Sequence, residues 1–156
     1  MKKQKGFSLI ELLIVVAIIL IIAAIAIPNL LKSKMAANES SAVGSVRTVN
    51  TGEVTYAAGC PNVGYSSSLT ELNKGVKCAA GLNIIDAVLA GGSKSGYTFA
   101  YTGTPDATTL INTYTLTAVP GVVGTTGQRG FFSDQTGVIR YTLDGSAPSA
   151  ASSALQ

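Results

Sequence analysis

The chain of 156 residues contains no histidine and no tryptophan. Without imidazole there is no histidine general base, no serine-histidine hydrolase triad and no zinc site with histidine ligands. Two cysteines fall short of the four thiolates that an all-cysteine zinc site needs. Charged residues make up 12% of the chain, about half the usual share. No G-x-S-x-G occurs. Gly121, Gly124, Gly127 and Gly130 recur every three residues without the strand, lysine and helix of a phosphate cradle, and read as a flexible loop. The residues therefore predict no enzyme, no cofactor and no metal.

Apolar residues are abundant instead, at 47% of the chain. The mean hydropathy of +0.39 is high for a soluble globule, so one segment must be very apolar. The length suits one domain with a modest core. The net charge of +3 belongs to the N-terminus, where Lys2, Lys3 and Lys5 stand; beyond Gly6 there are eight basic and eight acidic residues. That balance gives no support for nucleic-acid binding, and Lys74, Lys77, Arg129 and Arg140 read as solvated charges.

Residues 1–6, MKKQKG, are short and basic, and residues 7–27 are almost wholly apolar. As a helix this run spans roughly the ~30 Å hydrocarbon core of a bilayer. The lysines keep its N-terminal end cytoplasmic. A secretory signal peptide accounts for Ala24-Ile25-Ala26, a small-x-small cleavage pattern. A plain membrane anchor accounts for the length. Neither gives Glu11 a role, although a carboxylate near the centre of a spanning helix costs about 2.5–3.5 kcal/mol and less near its end. Cleavage between Gly6 and Phe7 does give it one. Phe7 then carries a free cationic amine, and Glu11 lies one helical turn away, able to pair with that amine or a neighbour's.

The lysine-rich leader, Gly6, Phe7 and the following Ser8-Leu9-Ile10-Glu11-Leu12-Leu13 resemble the class III signal of type IV pilins and type II secretion pseudopilins. The resemblance is dense from residue 1 to about 35. It implies an inner-membrane prepilin peptidase that cuts after Gly6 and methylates Phe7. It further implies that Glu11 neutralises the amine of an adjacent subunit in a filament, that the helix breaks near Pro28, and that an assembly machine with a cytoplasmic ATPase drives extraction from the membrane. Proline gives a physical ground for the break, since it lacks an N–H and clashes with the carbonyl four residues back.

Residues 29–57 continue as an amphipathic helix, with Leu31, Met35, Ala42, Val46, Val49 and Tyr56 on one face. Gly59-Cys60-Pro61 ends it. Residues 58–95 read as an irregular connection. It carries a short capped turn at Ser68 to Leu72, with Glu71 three positions after the cap, and a second short helix from Leu82 to Leu89. Cys60 and Cys78, in an exported head, predict a disulfide. From Gly96 the period becomes two: Tyr97, Phe99 and Tyr101, then Tyr114, Leu116 and Ala118, alternate with threonines and other residues. Residues 129–133 and 137–143 add two strands around the turn Asp134-Gln135-Thr136-Gly137. Residues 144–156, DGSAPSAASSALQ, predict a disordered tail.

The expected fold is α+β, a long helix packed on an antiparallel sheet of three or four strands, as in the pilin fold. The expected parts are a leader (1–6), a transmembrane and assembly helix (7–28), a periplasmic head (29–143) and the tail. The expected role is the bacterial subunit of a type IV pilus-like filament, held first in the inner membrane and then in a homo-oligomer outside it. A type II secretion pseudopilin is the nearest alternative. An anchored or secreted periplasmic binding module is the alternative from another class.

Overall fold

The computed structural model describes residues 7–75, 83–107 and 109–155. Contacts group the chain into two units, Met1–Lys34 and Met35–Gln156. Helix α1, Leu9–Gly59, has residues in both.

Within the first unit α1 is apolar on every face. The large apolar side chains from Phe7 to Leu31 are 45% to 81% exposed. Helix α1 is long and apolar enough to cross a membrane. It also runs without interruption through Pro28, so the break expected at Pro28 is absent. Proline removes one donor, the one that would meet the Ala24 carbonyl, and the turns on either side keep theirs. The next residue reinforces the helix there, since the Asn29 side-chain amide donates to the Ile25 carbonyl at 3.0 Å.

In the second unit one stripe of α1 is buried: Glu39, Ala42, Val46, Val49, Glu53 and Tyr56, at alternating spacings of three and four. Its apolar members, Ala42, Val46, Val49 and Tyr56, are among those read from the periodicity, but Leu31 is exposed and Met35 only half-buried. Ser45, which the pattern places off the stripe, is buried too. Gly52 lies on the buried side, where a Cβ would come within 2.8 Å of Ile84. The glycine lets the chain around Ile84 pack directly against the helix.

Helix α2 (Leu69–Lys74) begins as expected, with Ser68 accepting a hydrogen bond from the Glu71 N–H. Helix α3 is a single turn, Ala87–Ala90, capped by Asp86. It is shorter than the expected Leu82–Leu89, and Leu82 lies outside the described residues. An ion pair at 2.8 Å joins Asp86 to Lys94.

Six strands make one fully antiparallel sheet in chain order: β1 (Ser93–Lys94), β2 (Tyr97–Pro105), β3 (Ile111–Pro120), β4 (Gly130–Asp134), β5 (Arg140–Thr142) and β6 (Ser153–Ala154). The meander is as expected, and the two additional strands are the two-residue pieces at its edges. Alternation holds along β2 and β3: Tyr97, Phe99, Tyr114, Leu116 and Ala118 are buried, while Thr98, Ala100 and Thr115 are exposed. Tyr97, Phe99, Leu116 and Ala118 form one core with Ala42, Val46, Val49 and Tyr56 of α1 and with Leu72, Leu89 and Phe131.

The serine- and alanine-rich tail is ordered where it meets this sheet, contrary to expectation. Ser153 and Ala154 pair with Tyr141 and Arg140. The Arg140 guanidinium donates to the Ser152 carbonyl at 2.9 Å, and Leu155 packs against the core. The open edge of β5 supplies main-chain partners that composition does not reveal. Two of the four regularly spaced glycines are closely packed, while Gly124 faces open space. A Cβ at Gly127 would fall 2.1 Å from the Tyr97 hydroxyl, and one at Gly130 2.2 Å from the Ser146 carbonyl.

Candidate functional site

The candidate site is the N-terminal end of α1. Gly6 lies outside the described residues. Phe7 is the first described residue and is 81% exposed. Ser8 precedes the helix and caps it. Its carbonyl accepts the Leu12 N–H at 3.2 Å, and its hydroxyl accepts the Ile10 N–H at 3.4 Å. Glu11 closes the arrangement from the third helical position, its Oε2 accepting the Ser8 N–H at 2.9 Å. This is a capping box, in which a serine and a glutamate three positions apart satisfy donors that the first turn leaves orphaned. The signal S-x-x-E is present at Ser8 to Glu11, yet the sequence reading gave it no role. Glu11 also sits in the first turn, where the helix dipole favours a negative charge.

Beyond Glu11 the helix offers no polar side chain until Asn29. A surface of this kind has two ways to avoid water, hydrocarbon or other apolar helices.

In the second unit three buried carboxylates hold loops to helices, and the sequence reading gave none of them this role. Glu39 takes the N–H groups of Gln128 and Arg129 at 2.8 and 3.1 Å, and the Arg129 Nε at 2.8 Å. Burial pushes its carboxyl up, but these donors and the Arg129 charge outweigh burial and leave it below the usual value. Glu53 is fully buried. It accepts the Ser66 N–H at 2.8 Å and the Ser66 hydroxyl at 2.6 Å. Here burial wins over the donors, and the carboxyl is pushed up. Glu71 takes the Tyr56 hydroxyl at 2.6 Å and both the N–H and the hydroxyl of Ser67. Burial and that bond to Glu71 push the Tyr56 phenol up.

These contacts fasten the segment after Cys60 to α1. Cys60 is buried, and Cys78 lies outside the described residues. The tyrosines pack in and beside the sheet: Tyr101 stacks on Tyr114 at 5.6 Å between centroids, and Tyr65 meets Tyr114 edge-on at 5.0 Å. Among the described residues no group of three or more Cys, Asp or Glu could hold a metal ion.

A basic leader, an apolar helix long enough to cross a membrane with one carboxylate in its first turn, and an antiparallel sheet in the second unit are features of a membrane-anchored subunit. The prokaryotic N-terminal methylation motif matches residues 1–27. The chain is 60% identical over 40 residues to the type IV wide pilus major component PilA4 of Thermus thermophilus. It is 44% identical over 54 residues to the type IV major pilin protein PilA of Myxococcus xanthus. These matches cover 26% and 35% of this chain, and the chain spans 30% and 24% of the two relatives' lengths. No solved structure matches significantly. The similarity to type IV pilins lies in this N-terminal region.

Proposed function

We propose that the chain is the structural subunit of a type IV pilus-like filament. The carrying observation is the run of exposed large apolar side chains from Phe7 to Leu31, most of which lies inside a methylation motif covering residues 1–27. A prepilin peptidase cuts after Gly6 and methylates the Phe7 amine. The precursor sits in the inner membrane with its N-terminus cytoplasmic. Assembly machinery then transfers α1 from lipid into a bundle of copies. Since lipid is as apolar as the bundle, packing alone gains little and the transfer needs an external drive.

Within the filament, Glu11 pairs with the Phe7 amine of a neighbouring copy. The head is a structural cover with no catalytic residue. A Cys60–Cys78 bridge closes the segment after α1, supported by the burial of Cys60, which is not a free thiol.

The test is intact-mass analysis together with electron microscopy of material sheared from cells. The expected result is filaments whose subunit begins at Phe7 and carries one added methyl. A subunit beginning at Ile27 would refute the reading and restore the signal peptide.

A further inference from the structure

Glu11 carries the proposed assembly contact, yet in the single chain its carboxylate is already engaged. Oε2 accepts the Ser8 N–H at 2.9 Å, while the Ser8 hydroxyl accepts from Ile10 and its carbonyl from Leu12. Among the described residues Oε1 has no partner, and the charged amine of a processed chain begins one residue before Ser8. We propose that Ser8 is a positioning residue for assembly: it holds Glu11 by one oxygen in the capping box and leaves the other for a neighbour's amine. This rests on the filament reading above and adds to it a residue and an order of events.

The physical grounds are two. In hydrocarbon neither the Ser8 N–H nor the carboxylate finds water, so each lowers the cost of the other before assembly. Second, a glutamate side chain has several rotamers, and fixing one in advance removes ordering entropy from the step that forms the intersubunit contact. Ser8 does this through its own geometry. As the residue outside the first turn it is non-helical, and its hydroxyl stabilises that conformation by capping the Ile10 N–H. The backbone N–H left over is the one given to Glu11.

The experiment uses the full chain in cells and the processed chain in detergent micelles. Ser8→Ala should lower the ratio of surface filament to membrane pool about fivefold, the factor that an N-cap loss of ordinary size corresponds to. Ser8→Thr, also a capping residue, should restore it. Intact mass confirms that each variant is cut after Gly6 and methylated. In micelles the Ser8 amide should be protected from hydrogen exchange by its bond to Glu11, and in Glu11→Ala that protection should vanish. A Ser8 amide indifferent to Glu11, or Ser8→Ala filaments at wild-type yield, would overturn the proposal and leave the filament reading standing. Wild-type filament yield from Glu11→Ala would instead overturn the assembly role of Glu11 itself.

Discussion

Replacing Glu39 tests what holds the head together. Its carboxylate takes the N–H groups of Gln128 and Arg129 and the guanidinium Nε of Arg129. Glu39→Ala removes all three acceptor contacts. The Arg129 side chain is 36% exposed and regains water, so its share is that of a surface pair, about 0.2–1 kcal/mol. The two backbone donors are partly buried, and a donor left unsatisfied there costs about 1–3 kcal/mol. Contacts in one network are not additive, and the expected destabilisation is about 2–4 kcal/mol. At about 3–5 °C per kcal/mol for a domain of this size, the head should melt about 10 °C lower. Near-ultraviolet circular dichroism of the tyrosines, on the processed chain in micelles, reads the head separately from the apolar N-terminal part of α1, which carries no tyrosine. Glu39→Gln keeps one acceptor oxygen and should lose about half as much. The Glu39 carboxyl is held below its ordinary value of 4.5, so its contribution is present above that pH and is lost as pH falls through the folded-state value. The gap between wild type and Glu39→Ala should therefore close on acidification. A melting point for Glu39→Ala within about 2 °C of wild type at pH 7 would refute the reasoning, since two stranded donors alone should exceed that shift.

Glu53 should show the opposite dependence. Its carboxyl is pushed above its ordinary value of 4.5, so its stabilisation is complete below that pH and is lost as pH rises through the folded-state value; urea unfolding of Glu53→Gln should lack this decline, and a slope equal to wild type would refute it. Glu11→Ala should leave membrane insertion and processing intact and reduce filaments sharply. It would strand a buried amine, at a cost of about 3–5 kcal/mol, while Glu11→Gln should keep partial yield; surface filament against membrane pool, in cells without a wild-type copy, measures both. Non-reducing peptide mapping should recover Cys60 linked to Cys78, and reduction should cost the head about 3 kcal/mol; two free thiols would refute the bridge.

The N-terminal segment was legible because its signals are local. A run of apolar residues, a basic leader and a single glutamate act within one or two helical turns, and hydrocarbon imposes the same helix on any such run. The strands were legible for a related reason. A period of two at Tyr97, Phe99 and Tyr101 follows from the pleat itself, and Asp134 to Gly137 form a turn from their own backbone and side chains.

The buried carboxylates were not legible, because their donors are remote in sequence. Glu39 lies 89 residues from Gln128, and Glu53 lies 13 from Ser66. By polarity alone a glutamate on a helix reads as solvated, and only the folded arrangement supplies the N–H and O–H groups that let it be buried. The tail follows the same logic. Ser153 and Ala154 carry little hydrophobic signal, and their order comes from hydrogen bonds offered by β5. At Pro28 the local rule predicted a break, yet one lost donor is small beside the intact turns on either side. Tertiary structure decided the carboxylates and the tail because a hydrogen bond needs both its groups in place, and one of each pair lies outside the segment whose sequence is being read.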